Sequence, residues 1–116
     1  MALIKTSQVQ RENTPVTIFR LQDRISLGNY KELEVAAKEA YENGMRNLVI
    51  DLSGSDTLTS IGIRALVIIH KMLATESEKH LKLAGVAPSI HDVLEVAGIT
   101  QFIELYETVD EAIATF

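Results

Sequence analysis

The stretch "NLVIDLSGSDTLTSIGIRAL", residues 47–66, decides how this chain folds. It starts as a continuous apolar run, passes through a turn rich in Ser and Thr, and continues in a helical pattern that reaches residue 73. A continuous apolar run without alternation is typical of a strand covered on both faces. The sequence therefore predicts a central strand, a hydroxyl-rich loop, and a largely buried helix over residues 60–73.

Toward the N-terminus, two short β-type runs cover residues 2–10 and 16–21. The turn-like stretch "RENTP", residues 11–15, separates them and indicates an antiparallel pair. Residues 28–44 then show apolar positions at helical spacing, with charged residues between them and Gly44 as a C-terminal stop. We predict an amphipathic surface helix there.

Toward the C-terminus, the pattern alternates between strands and helices. The run "HLKLAGV" predicts a strand, Pro88 opens a helix that Gly98 ends, and "QFIELY" at residues 101–106 predicts a last strand. Thr108 and Glu111 form a capping box at the start of a closing helix. The order β-β-α-β-α-β-α-β-α predicts an α/β fold, one domain over residues 1–116, with a mixed, mostly parallel sheet and about four helices. A functional site is expected near the carboxyl ends of the parallel strands.

Composition excludes several function classes. The 116 residues carry 16 acidic and 11 basic side chains, a net charge of −5, which gives no electrostatic footprint for nucleic acid. There are no cysteines, which fits a reducing compartment and excludes disulfides and zinc thiolate sites. Neither a signal peptide nor a spanning segment is evident. We expect a cytoplasmic protein with no direct membrane insertion.

Signals for catalysis or a cofactor are weak. No Gly-Lys-Ser/Thr follows a strand, so nucleotide hydrolysis is disfavoured. His70, His80 and His91 lie on different predicted elements and lack the spacing of metal ligands. Ser60, His91 and Asp51 lack the nucleophile elbow that a hydrolase would need. We expect no cofactor, no metal and no enzymatic activity.

The loop after the central strand contains five hydroxyl residues, more than a helix cap requires. They are Ser53, Ser55, Thr57, Thr59 and Ser60. With Ser60 at the N-cap, its side chain would lie among unpaired N–H groups at the positive end of the helix dipole, where a phosphate is stabilised. Local sequence alone favours the simpler interpretation, in which Ser60 or Thr59 only caps the helix.

The same stretch resembles the signature of the STAS domain family, named for sulfate transporters and anti-sigma factor antagonists. The matching positions are Asp51, Leu52, Ser53, Thr59, Ser60, Gly62 and Ile63. The resemblance extends to "LQDRISLGNYKEL" and to residues 82–113, and so covers nearly the whole chain.

The resemblance implies a function in bacterial transcription. In antagonists of this family the serine matching Ser60 is phosphorylated by a histidine-kinase-like ATPase that is also the anti-sigma factor. The unphosphorylated form binds this serine kinase and releases the sigma factor. The fold also serves in stressosome subunits, in accessory proteins of lipid-transport ATPases and in the tails of anion transporters. The alternative function, from a different functional class, is that of a module that binds an anion or a nucleotide. A weak homodimer is a further expectation about assembly.

Helix geometry gives a separate reason to expect a partner. At about 100° per residue, Ser60, Arg64, Val67, Ile68 and Lys71 fall on one side of the second helix. This side is either partly exposed or, for Val67 and Ile68, packed under the first helix. The predicted partner-binding residues are Ser26, Ser55, Thr57, Thr59, Ser60, Ile61, Gly62, Arg64 and Ile68.

Overall fold

In the computed structural model, which describes residues 3–55, 57–74 and 80–116, five strands form one sheet in the order β1-β2-β3-β4-β5. The strands are β1 (Ile4–Arg11), β2 (Thr14–Leu21), β3 (Leu48–Asp51), β4 (Leu81–Ala84) and β5 (Glu104–Tyr106). The helices are α1 (Tyr30–Glu42), α2 (Ser60–Leu73), α3 (Pro88–Val96) and α4 (Val109–Ile113), with a 3₁₀ turn at Ile99–Gln101. Only β1 and β2 pair antiparallel. The predicted element order and mixed sheet are confirmed.

Strand β3 lies in the middle of the sheet, and all four of its residues are buried. Leu48 and Ile50 belong to the larger core cluster, which also contains the buried faces of α1, α2 and α3. Val49 belongs to a second cluster on the opposite face, beneath α4. The unbroken apolar run in the sequence therefore reflects a strand covered on both faces.

The N-terminal hairpin is tighter than the sequence suggested. The predicted turn of residues 11–15 is too long at both ends, because Arg11 belongs to β1 and pairs with Thr14 of β2, so the turn contains only residues 12 and 13. Glu12 adopts a positive φ of 58°, the conformation that such short hairpin turns require. Pro15 lies in β2 before the pairing with β3 starts at Thr17, so its missing N–H leaves no gap in that ladder.

The last predicted strand is also shorter than expected. Gly98 takes a left-handed φ of 79° as predicted, but a 3₁₀ turn follows it, and the Ile103 N–H donates to the Ile99 carbonyl over 2.9 Å. This turn buries Ile99 and Ile103 together, so only Glu104–Tyr106 remains for β5. The alternation of apolar and polar residues along the sequence does not show this contact between Ile99 and Ile103. Within the described residues, no helix is long and apolar enough to cross a membrane.

Candidate functional site

The hydroxyl-rich loop leaves the sheet at the carboxyl end of β3, where Asp51 anchors its first turn. The Asp51 carboxylate is largely buried, and its Oδ1 accepts a hydrogen bond from the Ser53 N–H over 2.9 Å. Its Oδ2 lies 3.7 Å from Arg20 Nε on the neighbouring strand. One carboxylate therefore ties the start of the loop to β2.

Further contacts fix the path of the loop against the sheet. The Leu52 N–H donates to the Ala84 carbonyl over 2.8 Å, and the Ser55 N–H donates back to Leu52 over 2.9 Å. Gly54 passes so close to β2 that a Cβ atom there would lie 2.4 Å from the Leu21 carbonyl oxygen. The loop is thus built into the end of the sheet.

Helix α2 is capped by Thr59. The Thr59 backbone is extended, with φ −94° and ψ 171°, and its Oγ1 accepts a hydrogen bond from the Gly62 N–H over 3.4 Å. Ser60 already belongs to the first helical turn. Of the two caps that the sequence left open, the structure selects Thr59, and the interpretation of Ser60 as the N-cap is wrong, because the backbone is still extended at Thr59 and helical from Ser60 onward.

Ser60 is exposed at the positive end of a 14-residue helix. The first turn of α2 contains no acidic residue, so no side chain there already compensates the helix dipole. The first backbone N–H groups of a helix have no intrahelical partner and can donate hydrogen bonds to an anion. The Ser60 hydroxyl is therefore accessible to solvent at a helix end that favours an anion.

The predicted partner-binding residues differ widely in exposure. Thr57, Thr59, Ser60, Arg64 and Ile68 are exposed, Ser26 and Ile61 are half-buried, and Ser55 and Gly62 are buried. The Ser55 hydroxyl donates to the Thr57 carbonyl over 2.9 Å and so acts within the loop. Gly62 lies under Leu58, where a Cβ atom would approach Leu58 Cδ1 to 2.6 Å. Neither residue offers the side-chain surface that the sequence analysis assigned to it.

The loop between β2 and α1 reaches the same region. Its Ile25 is buried, and Ile25 Cβ would lie 3.4 Å from a Cβ atom added to Gly62. Asn29 organises this loop, because its Oδ1 accepts from the Ser26 N–H over 2.7 Å and its Nδ2 donates to the Arg24 carbonyl over 2.9 Å. Ser26 is therefore held beside the N-terminal end of α2.

The sequence left open whether Val67 and Ile68 on the outer face of α2 are exposed or packed under α1, and the structure gives a different answer for each residue. Val67 is half-buried and packs against the core, whereas Ile68 keeps 42% of its surface exposed. Arg64 and Lys71 are exposed on the same face. The site therefore continues along α2 as a surface with both apolar and cationic side chains.

Residues of α1, which the sequence analysis did not assign to the site, form the other wall of this surface. Tyr30, Lys31 and Glu34 line an open cleft of about 380 Å³ together with Arg64 and Ile68 of α2. In the sequence, residues 27, 30, 34 and 41 have the spacing of one helix face, and this spacing was the signal that could have linked them to the site. Only the packing of α1 on α2 shows that this stripe faces the site.

One group of possible metal ligands lies elsewhere, on α3. Ligand atoms of His91, Asp92 and Glu95 lie within 4.8 Å of one another, and all three residues are exposed. His91 Nδ1 is 3.6 Å from a Glu95 carboxylate oxygen, at the i,i+4 spacing of a helix. The spacing of the three histidines along the sequence does not reveal this group, because its other two members are the carboxylates Asp92 and Glu95. Exposed side chains on a single helix make at most a weak cation site.

The fold is shared with solved structures of proteins from distant bacteria. An anti-sigma factor antagonist (STAS) domain protein from Planctomyces limnophilus superposes with a TM-score of 0.83 at 24% identity, over 99% of this chain and 98% of that chain. SpoIIAA of Bacillus in its phosphorylated form gives a TM-score of 0.72 at 16% identity, over 97% of each chain. These likenesses establish the fold.

Sequence comparison leads to the same group of proteins. BtrV of Bordetella bronchiseptica, which is provisionally named an anti-sigma factor antagonist, is 26% identical over 96 residues, 83% of this chain and 82% of BtrV. The model of the STAS domain matches residues 7–112, which include the Asp51 anchor, the hydroxyl-rich loop and α2. The chain therefore belongs to the STAS domain family.

Proposed function

We propose that this protein is an anti-sigma factor antagonist in a phosphorylation-controlled partner switch. Its unphosphorylated form binds an anti-sigma factor that is also a serine kinase of the histidine-kinase-like ATPase class, and so releases the sigma factor. The STAS fold, the similarity to BtrV and the fold likeness to SpoIIAA support this class of function. The protein acts in the cytoplasm as a substrate and binding partner, and the catalytic groups belong to the kinase.

The observation that carries this proposal is the exposed Ser60 hydroxyl in the first turn of α2. In the proposed step, Ser60 Oγ attacks the γ-phosphorus of ATP, the bond to the bridging oxygen of ADP breaks, and the hydroxyl proton passes to a base of the kinase. Thr59 is also exposed, but its oxygen is engaged in the cap. Ser60 is therefore the better acceptor of the two.

Phosphorylation separates binding from folding. A phosphate adds a charge of about −1.5 to −2 and three acceptor oxygens at the N-terminus of α2, where unpaired N–H groups and the helix dipole stabilise it. A partner seated over Ser60 would instead have to desolvate this group, on a protein whose net charge is already −5. Phosphorylation is thus expected to abolish binding while the fold persists.

The test reconstitutes the switch from purified components. The protein is incubated with ATP and each anti-sigma factor kinase encoded by the same organism, and binding is measured by calorimetry before and after phosphorylation. We expect one kinase to bind the unphosphorylated protein and to transfer phosphate to Ser60. The kinase is then expected to release the phosphorylated protein. Tandem mass spectrometry locates the phosphate.

Ser89 provides a matched control, because it too is an exposed serine in the first turn of a helix, α3. Ser60→Ala is expected to bind but resist phosphorylation, whereas Ser89→Ala is expected to behave like the parent. Phosphate on Thr57 or Thr59 would contradict the assignment of Ser60. Absence of binding to every anti-sigma factor, with capture of a transport ATPase instead, would contradict the proposed function.

A further inference from the structure

Two adjoining clefts lie between α1 and α2, and the nearer one is lined by Ile61, the residue after Ser60. This near cleft, of about 380 Å³, is also lined by Lys31 and Arg64, and the far cleft, of about 480 Å³, is lined by Glu42 and Met72. Glu34 and Ile68 line both clefts and so join them. We call the two clefts together the α1–α2 groove.

The apolar side chains of the groove follow helical spacing. On the α2 wall, Ile61, Ile68 and Met72 are seven and four positions apart, and Tyr30 and Tyr41 belong to the α1 wall. Beside Tyr30, Leu27 keeps 74% of its surface exposed. Since Ile61, Ile68 and Met72 lie along one face of α2, these side chains form an apolar stripe between two helices, a surface on which the apolar face of an amphipathic helix can pack.

Charge distinguishes the two ends of the groove. Lys31 and Arg64 flank the end near Ser60, and neither forms an ion pair with any residue that the structure describes. The shared Glu34 is outnumbered by these two cations at the near end, whereas Glu34 and Glu42 outnumber Lys38 at the far end. On a protein with a net charge of −5, the near end is a local cationic site beside the modified serine.

We propose, on the basis of the function proposed above, that the α1–α2 groove receives an amphipathic α-helix of the anti-sigma factor. The apolar stripe of this helix packs on Ile61, Ile68 and Met72, and one of its carboxylates pairs with Arg64. A basic side chain of the same helix faces Glu42. The groove extends the partner surface from the hydroxyl-rich loop along nearly the whole length of α2.

The position of Arg64 explains how phosphorylation would act on this helix. Ser60 and Arg64 are at i,i+4 on α2, so their side chains are neighbours on the helix surface. A phosphate on Ser60 attracts the Arg64 guanidinium, which forms strong charge-assisted hydrogen bonds with phosphate oxygens. The modification thereby occupies the cation that the partner's carboxylate requires, in addition to repelling that carboxylate.

Two variants test the groove against two matched controls. Ile68→Glu and Arg64→Glu change the groove, while Val96→Glu, at a valine that is 91% exposed on α3, and Lys5→Glu, on β1, make the same kinds of change elsewhere. With the kinase that the reconstitution experiment selects, calorimetry is expected to show at least about tenfold weaker binding for the groove variants, as for hot-spot residues. The controls are expected to stay within about twofold of the parent.

Cross-linking gives an independent readout, because the chain has no natural cysteine. Glu42→Cys, carrying a photoactivatable maleimide, is expected to label one helix of the kinase, and Val96→Cys to label none. If circular dichroism shows that Ile68→Glu does not fold, the binding of Arg64→Glu and the cross-link together test whether the groove receives a helix. The cross-link identifies the kinase helix, and changing the acidic residue of that helix that lies toward Arg64 to Lys is expected to restore binding to Arg64→Glu.

The outcomes separate this proposal from the proposed function. If both groove variants bind like the parent while Ser60 phosphorylation still abolishes binding, the groove proposal is wrong and the partner switch stands. A cross-link from Glu42→Cys to a non-helical segment of the kinase contradicts the proposed helix. If the parent protein binds no anti-sigma factor, the proposed function fails and the groove proposal fails with it.

Discussion

The hydroxyl oxygen of Thr59 lies 3.4 Å from the backbone nitrogen of Gly62 and accepts its hydrogen bond. This contact gives two adjacent hydroxyl residues different roles. Thr59 closes the N-terminus of α2, while Ser60 remains exposed within the first turn. The structural cap and the proposed phosphorylation site are therefore separate side chains, and mutations can test them separately.

The first prediction concerns the cap. Thr59→Ala is expected to lower the free energy of unfolding by about 0.5–1 kcal/mol, the low range for an N-cap because the hydrogen bond is long. Ser60→Ala is expected to change it by less than about 0.5 kcal/mol, as at most exposed positions. Urea denaturation followed by circular dichroism measures both. A larger loss in Ser60→Ala than in Thr59→Ala would show that Ser60 caps the helix in solution.

The second prediction concerns negative charge at Ser60. Ser60→Asp is expected to leave the fold intact and to raise the free energy of unfolding by about 0.3–1 kcal/mol, because an anion at a helix N-terminus is favourable. Ser60→Asn is the uncharged control of similar shape and is expected to lack this gain. Thermal denaturation at low and high salt checks the result, since salt screens the effect. A free energy of unfolding that is lower for Ser60→Asp than for the parent, with no such loss in Ser60→Asn, would contradict this prediction.

The third prediction concerns the packing of the loop on the sheet. Gly54→Ala is expected to cost about 1–3 kcal/mol, because the added methyl group would lie 2.4 Å from the Leu21 carbonyl oxygen and the backbone must move. Gly28→Ala is the control, since its nearest contact is Ser26 Oγ at 3.9 Å. Chemical denaturation compares the two variants. Equal stability would show that the loop does not lie against β2.

The fourth prediction concerns a buried lysine beneath α4. Lys82 Nζ donates to the Thr115 hydroxyl, lies 4.0 Å from Glu104 Oε1 and 4.2 Å from the centre of the Phe116 ring. Lys82→Ala is expected to cost about 2 kcal/mol or more, because it removes both the ion pair and the packed aliphatic stem.

Lys82→Met separates these two contributions. It keeps most of the buried volume, and we expect it to recover most of the stability that Lys82→Ala loses, because the Glu104 carboxylate left behind is 29% exposed and still accepts a hydrogen bond from the Tyr106 hydroxyl. Guanidinium denaturation of the two variants supplies the measurement. If Met and Ala are equally destabilising, the charge rather than the packing of Lys82 holds α4 on the sheet.

Local signals in the sequence were sufficient for the element order. The apolar run that contains β3 identified a strand covered on both faces, Pro88 began α3, and Gly98 adopted the predicted left-handed conformation. Thr108 caps α4 as predicted, because its Oγ1 accepts from the Glu111 N–H over 3.1 Å. These features depend on residues within a few positions of each other, so the pattern along the chain contains them.

The pattern along the chain did not contain the ends of two elements. Ile99 and Ile103 are both buried in the core, and the hydrogen bond between their backbones leaves only Glu104–Tyr106 for the last strand. Glu12 takes a positive φ, which permits a hairpin turn shorter than the polar stretch around it. Both outcomes depend on where neighbouring strands lie. A period-two pattern gives the type of an element but leaves its ends to tertiary packing.

At the site, the sequence by itself determined that hydroxyl residues follow β3 and that Ser60 lies at the start of α2. The tertiary structure decided which of them are available: Ser55 turns inward to the Thr57 carbonyl, and Gly62 is covered by Leu58. It also placed Glu34 of α1 opposite Ile68 of α2, which creates the groove. Burial and inter-helix packing are properties of segments brought together by folding, and the spacing along one segment does not encode them.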